Sequence, residues 1–199
     1  MNGIENRRAD RLQIAVTREV FIPHPIQDVF DFVAAQDVLP KILTGYGMVP
    51  GVASTFEVSG PWDRPGSHRA VQLADGSTLN ERLTEYARPS YFAYRVSNPS
   101  FALKHLMTEA RGQFWFEATE GGTQVKWTYT FRAKNRLTNV PLMLFVKSQW
   151  KGYMDVCLAN VLEHFAASPT IIPAHVPRQN SGAGDLSSGE NQDDLVVLR

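Results

Sequence analysis

The chain is predicted to be α+β: a curved antiparallel β-sheet of about seven strands gripping a long C-terminal helix, with two short helices after the first strand. Three observations point there. Residues Thr55 to Ala133 read as strand after strand joined by tight turns, which makes an antiparallel meander. Residues Asn139 to Ala167 carry apolar positions three or four apart, the spacing of one helix stripe. A sheet with one apolar face needs a cover, and that helix is the only long amphipathic element to supply it.

Taken in order, Ile14 to Ile22 alternates, with Ile14, Val16, Val20 and Ile22 on one side and Ala15, Thr17 and Glu19 on the other. That pattern is a half-buried strand. Pro23 and Pro25 end it, and Pro25 suits a first helical turn whose apolar face is Val29, Phe30, Phe32 and Val33. A short helix or turn follows through Leu39 to Leu43. Thr44 to Ser54, with Gly45, Gly47, Pro50 and Gly51, reads as a mobile loop. It is not a phosphate loop, because no Gly-Lys-Ser/Thr follows.

Strands are then expected at Thr55–Ser59, Ser67–Leu73, Ser77–Tyr86 and Tyr91–Ser97, with Asp75-Gly76 and Arg88-Pro89-Ser90 as turns. A strand ending near Ala118 and a last one at Thr123–Ala133 flank the Gly121-Gly122 turn. In the last strand Val125, Trp127, Tyr129 and Phe131 share the sheltered face, and the partner strand adds Phe114 and Phe116.

The long helix has a stripe of Met143, Val146, Trp150, Tyr153, Met154, Cys157, Val161 and Phe165, with Ser148, Lys151, Gly152, Asp155, Ala159 and Glu163 opposite. Met is adaptable, and Trp and Tyr join a large apolar body to a polar handle. Such a face either packs tightly on the sheet or walls a cavity for an apolar guest. Val140 to Val146 is apolar on all sides. Buried packing against the N-terminal elements is the expected use, with a transient dip into a membrane or a dimer contact as alternatives.

Composition narrows the function. Twenty basic and twenty acidic residues cancel, so no net field draws the chain to nucleic acid or to an anionic membrane. The single Cys157 allows no internal disulfide and fits a reducing compartment. No secretion signal or bilayer-length apolar run is visible, so a cytoplasmic location is expected. Residues 1–13 read as a polar arm, 14–167 as the folded domain, and 168–199 as a disordered tail rich in Pro, Ser and Gly. The terminal Leu195-Val196-Val197-Leu198 is either a docking motif or an inert apolar end.

For chemistry, His24, His68, His105, His164 and His175 lie at no ligand spacing, so no metal and no cofactor is expected. His105 is either a pocket-lining base or a solvated histidine. On the strand at 78–86, Leu79, Glu81, Leu83 and Glu85 share a face. If the leucines face the interior, Glu81 does too, as a carboxylate suited to proton transfer with Arg95 of the next strand as its partner. The other reading is a solvated cross-strand salt bridge. Tyr94, Trp127, Tyr129, Trp150 and Tyr153 either orient a ligand or form ordinary core.

The segment Phe21-Ile22-Pro23-His24-Pro25-Ile26-Gln27-Asp28-Val29-Phe30-Asp31-Phe32-Val33 resembles the strand-to-helix entry of the START and birch-pollen-allergen helix-grip superfamily (SRPBCC), in particular its polyketide cyclase/dehydrase and lipid-transport branch. Asp75-Gly76, Glu81-Arg82-Leu83-Thr84-Glu85, Pro89 with Tyr94-Arg95-Val96, and Gly121-Gly122-Thr123-Gln124-Val125-Lys126-Trp127 extend the likeness over roughly Ile14 to Ala167. The resemblance implies an apolar ligand cavity under the C-terminal helix, rimmed by the loop near Gly45–Ser54.

The first functional expectation is therefore binding or transport of a hydrophobic small molecule, a lipid, isoprenoid or polyketide-like aromatic. Phe114, Phe116, Trp127, Tyr129, Met143, Val146, Trp150, Tyr153, Met154 and Cys157 would be its wall. The second is a cyclase or dehydratase in which Glu81, Tyr94, Arg95 or His105 moves a proton. The third is a protein-interaction module docking through the tail.

Overall fold

The structure is a computed structural model that describes residues 12–100 and 102–167. The expected arm before Leu12, the tail from Ser168 and its terminal motif lie outside the described residues.

Among the described residues nine strands and four helices occur, in the predicted order apart from the two-residue strands at Gly45–Tyr46 and Val49–Pro50. They are β1 (Gln13–Ile22), α1 (Ile26–Val33), α2 (Leu39–Ile42), β2 (Gly45–Tyr46), β3 (Val49–Pro50), β4 (Val52–Phe56), β5 (His68–Leu73), β6 (Thr78–Ala87) and β7 (Tyr91–Ser97). After a 3₁₀ turn at Ala102–His105 come β8 (Met107–Thr119), β9 (Gly122–Ala133), α3 (Arg136–Phe145), a π turn (Val146–Trp150) and α4 (Lys151–Ala166). Seven strands form one antiparallel sheet in the order β1-β9-β8-β7-β6-β5-β4. Only β1 is out of sequence order, because it closes the edge against the last strand.

Period-two alternation decides which face is dry. Val125, Trp127, Tyr129 and Phe131 of β9 are all buried, as are Phe114 and Phe116 of β8 and Phe92, Tyr94 and Val96 of β7. Helix α1 lays Val29, Phe30 and Val33 on this face, with Phe30 edge-on to Phe92 and Phe116. Helix α4 covers the rest through Tyr153, Met154, Cys157, Leu158, Val161 and Phe165. Arg18 of β1 reaches across to Asp155 at 2.6 Å and ties the sheet edge to that helix.

Four expectations are corrected. The stretch from Thr44 to Ser54 is not a loose loop: it holds the β2–β3 hairpin and the start of β4, which runs from Val52 rather than Thr55. The hairpin leans on α4 because Gly152 has no side chain; a Cβ there would meet the Tyr46 ring at 2.3 Å. The C-terminal helical segment starts earlier than Asn139, since Asn135 caps it by accepting from the Leu137 and Thr138 N–H groups. It is also broken, with the Lys151 N–H donating to the Val146 carbonyl five residues back.

A turn closed in that way holds one residue more than an α turn. The residues before it are rotated out of phase with those after it. Leu142 is fully buried and Met143 only half-buried, the reverse of the stripe extrapolated from α4. For the same reason Val140 and Leu144 face solvent instead of packing against the N-terminal elements.

Candidate functional site

Among the described residues the interior between the sheet and the cover of α1, α2 and α4 is mainly apolar, with His24 and Thr123 buried near the β1–α1 junction and one buried charged pair. Arg69 of β5 and Glu81 of β6 are register partners, 4% and 6% exposed. Both the Nε (2.9 Å) and an Nη (2.8 Å) of Arg69 donate to Oε2 of Glu81. Its other Nη donates to the Gln36 carbonyl at 2.8 Å, and its guanidinium lies 3.9 Å from the centre of the Trp62 ring. Both of these Arg69 contacts to the carboxylate fall on Oε2.

Tyr94 and Tyr129 stand beside this pair. Tyr94 lies across Gly112 of β8, where a Cβ would meet its ring at 2.2 Å. The small floor residues Ala110 and Gly112 are what make room in mid-sheet. Tyr129 packs against Tyr94 on one side and Trp150 on the other, at ring separations of 6.2 and 4.6 Å. Tyr153 stacks on Trp150 at 4.9 Å.

Burial pushes the Tyr94 and Tyr129 phenols well above their ordinary values, and the negative charge of Glu81 adds to the rise. For Tyr153 burial again dominates, followed by the neighbouring Cys157 and then Glu81. Burial also raises the Cys157 thiol. These groups are therefore hydroxyl and thiol donors at neutral pH. The indole N–H of Trp127 sits near the Tyr94 hydroxyl but outside hydrogen-bond geometry, and neither it nor the Trp150 N–H has an acceptor among the described residues.

A cavity of about 20 Å³ lies here, with a wall that includes Arg69, Tyr94, Phe114, Trp127, Cys157 and Leu43. That volume holds a single water molecule. A larger guest requires the wall to move, and Leu39, Ile42 and Leu43 of that wall belong to the four-residue α2 and the residue after it.

Of the residues singled out from sequence, Tyr94, Phe114, Trp127 and Cys157 border the cavity directly. Glu81 reaches it through Arg69, and Tyr129, Tyr153 and Trp150 form the adjoining aromatic wall. Phe116 packs away from it, 5.0 Å from Phe30. Val146 and Met154 are buried in the helix–sheet core, while Met143 sits at its margin.

Arg95 and His105 are not brought in. Arg95 lies on the wet face of β7 and pairs with Glu109 at 3.1 Å, so the expected Glu81–Arg95 pair does not form. His105 is exposed at the end of the 3₁₀ turn. Glu85 is turned out by a bulge after Leu83 and pairs with Arg111.

Arg69 was missed, although β5 carried the signal: the alternation of Val71 and Leu73 puts Arg69 on the same inward face. No group of three metal-binding side chains occurs among the described residues. Nor is any described helix long and apolar enough to cross a membrane.

Comparison with solved structures finds the same fold at low identity. Ara h 8.0201 is 16% identical, with a TM-score of 0.57 over 78% of this chain and 99% of that one. Ginseng major latex-like protein 151 from Panax ginseng is 11% identical, with a TM-score of 0.57 over 77% and 98%. The di-domain ARO/CYC protein BexL of the BE-7585A biosynthetic pathway is 20% identical, with a TM-score of 0.58 over 80% of this chain and 52% of that one. No curated protein sequence matches. The family described as "Polyketide cyclase / dehydrase and lipid transport" matches residues 13–166, the whole of the sheet and its cover, and the chain belongs to that family.

Proposed function

We propose that the protein binds a hydrophobic small molecule, a lipid, isoprenoid or polyketide-like aromatic, between the sheet and the C-terminal helix. The observation that carries this reading is a buried polar group without a partner at the edge of an apolar interior. The Trp127 N–H has no acceptor where it borders the cavity, whose wall also includes Arg69, the partner of Glu81. A buried N–H without a partner costs about 1–3 kcal/mol, which a guest oxygen would recover. Apolar area supplies affinity and these groups supply orientation. Under this proposal guest entry displaces the short α2 segment, whose Leu39 and Ile42 line the cavity. The working location under this proposal is the cytoplasm, where the lone Cys157 stays a free thiol.

Native mass spectrometry of the purified full chain, followed by organic extraction, tests this. A discrete adduct under about 1 kDa is expected from the size range of such pockets. Protein free of adduct that also fails to take up 1-anilinonaphthalene-8-sulfonate or oleate overturns it.

A second reading is favoured by Glu81 alone: a carboxylate held inside the apolar interior beside the Tyr94 hydroxyl. In a cyclase or dehydratase, Glu81 would take a proton from a carbon next to a substrate carbonyl while Tyr94 donates to the carbonyl oxygen. Glu81→Gln separates the two readings. A carrier keeps the same adduct and at most holds it less tightly, whereas an enzyme accumulates a bound molecule that the native chain converts.

A further inference from the structure

Helix α3 carries apolar side chains on the side that faces solvent. Leu142 is its buried contact, yet Leu137 is 88% exposed, Leu144 60% and Val140 56%, and Pro141 shares their side. The spacing 137, 140, 141, 144 makes one continuous stripe, where an ordinary surface helix is polar. Beyond the stripe, the β2–β3 hairpin adds the exposed Tyr46 and Met48 (78%). The hairpin is fastened to the same helical segment, since the Met48 N–H donates to Gln149 Oε1 at 3.1 Å and the Tyr46 ring rests on Gly152. Of the eight large hydrophobic residues exposed among the described residues, five lie on α3 and on this hairpin, which is fastened to the helical segment that continues α3.

The charge around the patch has one sign. From Lys134 to Met154 the chain carries Lys134, Arg136, Lys147 and Lys151 and no acidic residue, although the chain as a whole is neutral. All four are exposed. An apolar stripe with a basic, acid-free rim is the pattern of a helix that lies in a membrane interface. The stripe calls for hydrocarbon, the rim calls for anionic headgroups, and an anionic phospholipid bilayer presents both in one plane.

We propose that α3 and the tip of the β2–β3 hairpin dock the protein peripherally on anionic phospholipid surfaces. The docking is a property of the outer surface and stands whether or not the interior takes a guest.

Cosedimentation of the full chain with guest-free vesicles tests it, comparing phosphatidylglycerol mixed with phosphatidylcholine against phosphatidylcholine alone. Binding to the anionic vesicles only is expected, reversed when ionic strength approaches about 1 M, where charges are screened within roughly 3 Å. Lys147→Ala with Lys151→Ala lowers the partition coefficient about 25-fold, at about fivefold per charge. Leu137→Ser with Leu144→Ser lowers it at least about tenfold per leucine, because each loses its burial in the bilayer. Neither pair shifts the melting temperature, since all four residues are exposed in the fold. No binding, equal binding to neutral vesicles, or binding indifferent to both pairs of substitutions overturns the proposal. So does light scattering in which the Leu137→Ser, Leu144→Ser chain turns from dimer to monomer, which would make the patch a contact between two copies.

Discussion

Arg69 and Glu81 face each other directly across β5 and β6, 2.8 Å apart and almost wholly out of water. A pair so placed is weak support for stability, because desolvation of two charges offsets most of their attraction. Breaking it is another matter. Arg69→Met leaves the Glu81 carboxylate buried without its counter-charge, and a loss of about 3–5 kcal/mol in unfolding free energy is expected in urea denaturation at pH 7. The double substitution Arg69→Met, Glu81→Leu restores most of that loss. A double-mutant chain as unstable as Arg69→Met would show that the pair matters for packing and not for charge. A functional pair predicts one thing more: the restored double variant folds but fails to retain its native adduct.

Tyr94 depends on a glycine it does not own. Gly112→Ala places a methyl 2.2 Å from the Tyr94 ring, whose neighbours Phe92 and Tyr129 hold it in place. Overpacking of about 1–3 kcal/mol is expected. Tyr94→Phe does not relieve it, because the ring itself makes the contact, whereas Tyr94→Leu does. Thermal melts of Gly112→Ala in the three backgrounds check this, and equal penalties in all of them would place the strain elsewhere.

The fold was legible where a short period governs. Strands β5 to β9 follow from alternation and from turn residues such as Asp75-Gly76 and Gly121-Gly122, so the buried faces of Val125, Trp127, Tyr129 and Phe131 could be read directly. The departures come from single-residue insertions. The bulge after Leu83 flips Glu85, and the π turn re-phases α3, so Leu142 replaces Met143 in the core. Neither insertion alters composition or average spacing. The site was half legible for a different reason. Glu81 was identified as a candidate from its strand, but its partner is set by register: β6 lies between β5 and β7, and both offer an arginine. Only the inward parity of Val71 and Leu73 separates Arg69 from Arg95.

Cys157 borders the cavity with its thiol pushed up by burial. Less thiolate at a given pH means slower attack, so its reaction with 5,5′-dithiobis(2-nitrobenzoate) at pH 8 is expected to be limited by opening of the α4 cover. The rate should rise steeply in denaturing urea. A native-state rate equal to that of a free thiol would mean that the cavity wall opens freely. Cys157→Val adds about one methyl-sized group to a cavity of one water and, if the interior holds the guest, weakens the adduct without unfolding the chain; an adduct held as tightly as in the native chain would place the guest elsewhere.

Asp31 of α1 and Arg88 of the β6–β7 turn form a two-pronged pair, with both contacts at 2.7 Å and both side chains about half exposed. Hydrogen bonding to Arg88 is the largest effect on the Asp31 carboxyl and holds it below its ordinary value, with the guanidinium charge acting in the same direction. A carboxyl whose folded value is depressed contributes stability above its unfolded value, near pH 4, and loses it as pH falls through the lower folded value. Asp31→Asn should therefore lower the melting temperature at pH 7 by a small amount, as befits a solvated pair. The gap between variant and native chain should then narrow below about pH 4 and close once Asp31 is protonated. Salt should shrink the gap at pH 7, because water reaches both partners. A difference that stays constant from pH 7 to pH 2 would assign the effect to helix α1 itself and not to the bridge that pins it to the turn.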